Sequence, residues 1–325
     1  MTNIETVRGP IPIEDLGTTL THEHIFTKNP ELEQSYPHPE WDEDLSIKKA
    51  VDGLNALSAK GIDTIVDLTV PGLGRFIPRI QKVAAAVNLN IVVATGFYTF
   101  NDLPTYFQTT GPGRMVERDE PLEEYFIKDI TVGIGETGVK AAMIKVATDE
   151  FGITTDVERV MRSAAIAHLE TGATITTHTH VAHYTGRDQQ NFFRANGVPL
   201  ENVVIGHCGD STDIAYLREL MDNGSTLGLD RFGMEQVLHD DLRVDTLVEL
   251  IELGYAGQLT LSHDAGFFSI NTPPSWRTKN APNWHHANIS DRILPKIREL
   301  GVTEETIHQI MVTNPARIIA GRRDK

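Results

Sequence analysis

His22 and His24 stand two residues apart in the run Thr19-Leu20-Thr21-His22-Glu23-His24, at the end of the first strand-like segment. Side chains on a strand alternate faces, so two histidines at this spacing point the same way. Two imidazoles that converge on one point make half of a tetrahedral metal site. Such a site polarises a carbonyl and acidifies a bound water, which is hydrolytic chemistry.

Further candidate donors close later β-like runs. Lys145 ends the fourth, His178 and His180 the fifth, and His207 the sixth. Asp230 and Arg231 end the seventh, and His263 and Asp264 the eighth. Spacing alone leaves His178 and His180 as alternatives, because they share a face; the plain expectation for His180 is a hydrogen-bonded histidine. His263 and Asp264 face opposite ways, so the barrel interior takes one and the helix layer the other. Glu23 lies between two inward histidines and is expected to point outward in a structural role. Lys145 is the odd member, since an ammonium has three donors and no acceptor and cannot ligate a cation. Carbamylation by carbon dioxide would make it an anion with two oxygens, able to bridge two ions. A salt bridge to Asp264 or Glu136 is its alternative.

The elements that must position these residues recur in order. Eight β-like runs are read at Thr18–His24, Asp63–Thr69, Ile91–Phe97, Ala141–Ala147, Ala173–His180, Val203–Cys208, Ser225–Arg231 and Leu259–Asp264. Helical spacing separates them. Asp44–Lys60 carries Leu45, Ala50, Leu54 and Leu57 toward one side, Asp156–Thr171 carries Val160, Ala164, Ala167 and Leu169, and Asp240–Gly254 carries Leu247, Leu250 and Ile251. Strands alternating with helices imply parallel strands with right-handed crossovers. Eight such units favour one closed (β/α)8 barrel, an α/β TIM barrel over residues 1–325, rather than an open sheet. The site of such a barrel lies at the C-terminal ends of its strands, where the polar residues gather. Two long connections, Tyr98–Asp119 and Ala265–Ile289, have the length of lids or binding loops. The tail Val302–Gly321 reads as helical.

Composition narrows the function classes. The chain has 325 residues and a formal net charge of −16, which argues against nucleic acid or an anionic membrane as the main partner. Its one cysteine, Cys208, excludes an intramolecular disulfide and fits a reducing compartment. No apolar run approaches the ~20 residues of a membrane span, and the N-terminus lacks the apolar core of a signal peptide. The cytoplasm is the expected location.

Three trails lead elsewhere. Gly133, Gly135 and Gly138 spell G-x-G-x-x-G, but they precede a strand, so no helix N-terminus cradles a pyrophosphate. Cys208 beside His207 is sent to the opposite face and reads as a buried structural thiol. Gly72, Gly74 and Arg75 could bind phosphate, without support elsewhere.

Taken together, these residues resemble the amidohydrolase superfamily and, within it, the phosphotriesterase family. The likeness runs from Leu20-Thr21-His22-Glu23-His24 to Asn314-Pro315-Ala316-Arg317, nearly the whole chain. It rests on the order His-x-His, Lys, His, His, Asp at strands 1, 4, 5, 6 and 8. The runs Gly135-Glu136-Thr137-Gly138-Val139-Lys140-Ala141, Gly206-His207-Cys208-Gly209-Asp210 and Ser262-His263-Asp264 add to it. The resemblance implies two divalent ions, zinc, cobalt, iron or manganese. His22, His24 and Asp264 would hold the more buried ion and His178 and His207 the more exposed one. Carbamylated Lys145 and a hydroxide would bridge them.

Within the family the chain looks like a phosphotriesterase-like lactonase, the quorum-quenching type that opens N-acyl-homoserine lactones. Thr95-Gly96-Phe97-Tyr98 places a tyrosine where these lactonases put a lactone-contacting phenol. Leu229-Asp230-Arg231-Phe232-Gly233 places an arginine at the cleft, followed by a short connection to the next helix. The resemblance thus implies catalytic roles for Asp264 as proton acceptor, Tyr98 as oxyanion donor and Arg231 as a positioner of the amide or the lid; a surface ion pair is the alternative for Arg231. It also implies a homodimer and a small lactone substrate. Phe267, Phe268, Trp276 and Trp284 in the last loop could line an acyl-chain channel, with a dimer contact or plain loop packing as the alternative. The rival readings are a phosphotriesterase or another amidohydrolase-type esterase or amidase, and a catalytically silent metal-binding scaffold.

Overall fold

The computed structural model describes residues 2–321. Eight strands follow one another around a nearly closed barrel: β1 (Thr19–Glu23), β2 (Thr64–Asp67), β3 (Asn90–Gly96), β4 (Met143–Ala147), β5 (Thr174–His178), β6 (Val203–Ile205), β7 (Thr226–Leu229) and β8 (Leu259–Leu261). Each pairs in parallel with the next. Nearly every strand residue is buried, because helices cover the outer face and side chains fill the inner one. That double burial is why the runs are rich in Val, Ile, Leu and Thr.

Several strands are shorter than their runs predict. β6 stops at Ile205, β7 at Leu229 and β8 at Leu261, each before its polar residues. His207 (φ 61°) and Asp264 (φ 52°) adopt left-handed backbone, which a strand cannot hold. They turn out of the ladder toward the barrel mouth, a conformation that recurs at functional sites.

The helices form where expected, with different inner faces. Asp42 caps Glu43–Ser58 by accepting from Leu45 N, and Ser46, Ala50, Leu54 and Leu57 are buried while Leu45 is exposed. Five residues separate Leu45 from Ala50, which takes it off the 3.6-residue stripe. Thr154 caps Thr155–Thr171, which ends at Gly172, and Leu169 on its last turn is exposed. The helix Asp240–Glu252 buries Leu247 and Leu250. The tail is helical in three consecutive pieces, Glu304–His308, Gln309–Thr313 and Asn314–Ala320.

An N-terminal hairpin, Asn3–Thr6 with Gly9–Pro12, is an element outside the eight anticipated runs. Its Ile4 clusters with Leu16, with Val66, Val92 and Met143 of the barrel, and with Ile318 and Ile319 of the tail. Apolar side chains therefore stopper the strand-start end, and the opposite rim carries the polar residues.

At that rim the seam between β8 and β1 is closed by hydrogen bonds outside the ladder. His22 N donates to Ser262 Oγ (2.9 Å), Asp264 N to His22 O (3.0 Å) and His24 N to Ala265 O (2.8 Å). The two long connections contain short elements of their own. Thr105–Thr109 is helical in the first; in the second Phe268–Ser269 pairs with Phe26–Thr27, and Pro274–Asn280 is helical.

Candidate metal centre

Two groups of donors meet at the mouth of the barrel. In the first, His24 Nε2 lies 3.1 Å and His22 Nε2 3.8 Å from Asp264 Oδ1. In the second, His207 Nε2 lies 2.8 Å from His178 Nδ1. Asp264 spans both, with Oδ2 3.8 Å from His207 Nε2. Lys145 Nζ enters from β4, 2.9 Å from His22 Nε2, and Thr177 O accepts from it at 3.4 Å. The alternative of a salt bridge from Lys145 to Asp264 or Glu136 is not formed among the described residues. A cavity of about 200 Å³ opens over these residues, with Tyr98 and Arg231 in its wall.

Local backbone features aim the donors. The register of β1 against β2 shifts between Leu20 and Glu23, so Thr21 and His22 together face one residue of β2. Such a bulge re-aims side chains beside active sites. Gly96 of β3 has φ 119°, and a Cβ there would meet Lys145 O at 1.9 Å, so only glycine lets β3 approach the lysine. Gly72 does the same for Tyr98, whose carbonyl oxygen would lie 2.0 Å from a Cβ.

Each histidine is gripped on the nitrogen away from the cluster. Asp230 Oδ2 holds His22 Nδ1 at 2.7 Å, and Asp230 Oδ1 holds His207 Nδ1 at 2.8 Å. Thr69 Oγ1 holds His24 Nδ1 at 2.8 Å, and Asp149 Oδ2 holds His178 Nε2 at 2.8 Å. Such partners orient the ring and raise its basicity toward a metal. Asp230 closes the seventh run without a ligand's role; its inward place, two residues after the inward Gly228, is the signal for its orienting part. Asp149 lies beyond β4 in a turn, where no periodicity applies.

The protonation states suit a cation. Burial lowers the imidazoles of His22, His178 (to about 4) and His207, so they are neutral near pH 7. Burial alone would raise Asp264, but the His24 hydrogen bond and neighbouring charge, with the Arg231 guanidinium beside it, hold it well below the usual carboxylate range. Burial pushes Lys145 down to about 8. Neutral imidazoles beside an ionised carboxylate are the state metal binding requires. His22, His24 and Asp264 have donor atoms close enough to share one ion. So do His22, His207 and Asp230, although the Nδ1 hydrogen bonds give Asp230 an orienting place.

Of the remaining expectations, His178 and not His180 joins the cluster. His180 does not fit the hydrogen-bonded expectation for its ring: Nδ1 is buried without a partner among the described residues, because the chain turns away after His178. Glu23 points away from the cavity and is fully buried, accepting from His263 Nδ1 (2.6 Å), His263 N (3.0 Å) and Ala265 N (3.1 Å). Burial raises its carboxyl to about 8. Arg231 forms an ion pair, but within the site instead of on the surface: Nε donates to Asp264 Oδ2 (3.1 Å) and Nη1 to Asp210 Oδ2 (2.9 Å). Tyr98 Oη lies 3.5 Å from His178 Nδ1.

The four aromatics of the last loop separate. Trp284 lines the cavity, Phe267 stacks on His286, Phe268 packs against Trp41 in the core, and Trp276 is 39% exposed. Cys208 is buried, as expected. Arg75 is committed to Asp129 and Tyr125, which removes the support for a phosphate site there.

Comparison with known proteins places the fold and the family. The phosphotriesterase family model matches residues 2–319. A solved phosphotriesterase structure from Mycobacterium tuberculosis superposes with a TM-score of 0.95 at 49% identity, covering 98% of each chain. An aryldialkylphosphatase of Saccharolobus solfataricus is 38% identical over 96% of this chain and 98% of its own. A phospho-furanose lactonase of Mycoplasmopsis synoviae is 29% identical over 97% of this chain and 91% of its own.

Proposed function

The chain belongs to the phosphotriesterase family and is a metal-dependent hydrolase, and from that premise we propose that it opens lactones, N-acyl-homoserine lactones first, with weaker phosphotriester hydrolysis. The observation that carries the lactone reading is Tyr98, whose hydroxyl stands 3.5 Å from His178 Nδ1 in the wall of the donor-lined cavity. Residues 1–325 act as one domain. His22, His24 and Asp264 would hold one ion, His178 and His207 the other, and Lys145, N6-carboxylated, would serve both. Two divalent ions there would supply Lewis acidity and lower the pKa of a bound water toward ~7. Histidine and carboxylate ligands suit zinc, cobalt, iron or manganese.

The chain's own groups then have defined tasks. Tyr98 stays protonated, because burial raises its phenol. It can therefore donate to the carbonyl oxygen as negative charge develops there. Asp264 accepts the proton of the attacking water and returns it to the leaving alkoxide. Arg231 keeps Asp264 ionised and in place. This reading includes a quorum-quenching role in the cytoplasm, a homodimer, and no nucleic-acid or membrane partner.

Rates on homoserine lactones of several acyl lengths, on simple lactones and on a phosphotriester test this reading. A lactone is expected to have the highest kcat/KM; a faster phosphotriester would overturn the ranking in favour of a phosphotriesterase. Tyr98→Phe should lower lactone kcat by about 100-fold, the lower end of the cost of losing one oxyanion donor, with metal content unchanged. Equal loss of activity and metal would make Tyr98 structural.

A further inference from the structure

A second guanidinium shares the cavity wall with Arg231, and its circumstances are opposite. Arg277, on the short helix Pro274–Asn280, is only 9% exposed. Its Nε donates to Thr272 O at 3.1 Å, and Nη1 donates to Gly266 O, both neutral carbonyls. The guanidinium lies over the Trp284 ring, 4.8 Å from its centroid, and Trp284 Nε1 is tied to His263 O at 2.7 Å. Among the described residues, no carboxylate lies within ion-pair distance of Arg277, and Nη2 has no hydrogen-bond partner. Arg231, by contrast, is satisfied by two carboxylates.

A buried cation without a carboxylate is unfavourable unless another acceptor reaches it. Its place selects the acceptor. Arg277, Trp284 and Gly266 form the boundary between the metal cavity and a second cavity of about 400 Å³, whose wall includes Leu57, Phe267 and Ala281. A substrate that fits both has a reacting carbonyl at the donors, an oxygen acceptor at the boundary and an apolar tail beyond it.

We propose that Arg277 forms an acceptor subsite that binds the amide carbonyl oxygen of an N-acyl lactone. This deepens, and rests on, the lactonase reading. Its chemistry distinguishes acylated lactones from bare rings, a choice that the two ions and Tyr98 cannot make, since both ring types present the same ester carbonyl to them.

The test is kcat/KM of the metal-loaded wild type, Arg277→Gln and Arg277→Lys on a short N-acyl-homoserine lactone and on γ-butyrolactone, which lacks the amide. Arg277→Gln should lose roughly 10- to 100-fold more on the acylated lactone than on γ-butyrolactone, mostly in KM, as expected for one charged hydrogen bond. Arg277→Lys should recover part of the difference. Equal losses on both substrates would make Arg277 a strut of the loop, and no loss on either would also overturn the subsite. Both outcomes leave the lactonase reading standing. A wild type that opens neither lactone overturns that reading and the subsite with it.

Discussion

Lys145→Ala should remove nearly all hydrolytic activity, at least roughly a hundredfold in kcat, which is about 2.7 kcal/mol of barrier. Lys145 is 1% exposed and its Nζ lies 2.9 Å from His22 Nε2, at the junction of the two donor groups. An ammonium there would repel both ions, whereas a carbamate would neutralise part of their charge and hold them at a fixed separation. The lowered pKa of the amine makes its neutral, carbon-dioxide-reactive form accessible near pH 8. Carbamylation joins the amine nitrogen to the carbon of carbon dioxide and releases one proton. Alanine would remove such a bridge and leave a space that acetate or propionate can enter, so added acid should restore part of the turnover and of the metal content. Metal content by mass spectrometry and kcat with and without acid are the measurements. Full turnover by the variant in the absence of acid would exclude the bridging role.

Asp230→Ala should strike both halves of the centre at once. Each of its oxygens takes one Nδ1, from His22 and from His207, and Oδ1 also accepts from His207 N at 2.8 Å. These two rings belong to different donor groups. Loss of one carboxylate would therefore free one ring of each donor group and leave three buried N–H groups unpaired. Affinity should fall roughly 10- to 100-fold for both ions, the usual cost of losing an orienting partner. Asp230→Asn, which keeps one acceptor oxygen, should weaken one ion more than the other. Titration against a chelator of known affinity reads both variants. Unchanged binding of either ion in Asp230→Ala would show that Asp230 orients only one ring.

What could be read from the chain beforehand follows the range of each physical rule. Alternation places His22 and His24 on one side, because only a single strand is involved. Strand-to-helix periodicity carries the barrel for the same reason. The choice between His178 and His180, or between His263 and Asp264, depends on where the strand ends. Those ends are set by left-handed turns that no period announces. Family resemblance supplied both choices, and the geometry gathers the same residues. Thr69, Asp149 and Asp210 act across 21 to 45 residues of sequence, on His24, His178 and Arg231, so local patterns are silent about them. Leu45 and Leu169 show the converse: a hydrophobic residue near the stripe is not on it.

The seam between β8 and β1 has a consequence for the life of the chain. His22 leaves the ribosome 240 residues ahead of Ser262, the partner of its amide. Until the last strand is made, the first two histidines have neither Asp264 nor a fixed backbone. A nascent or truncated chain thus has no complete cage for an ion, and tight metal uptake becomes a certificate of finished synthesis.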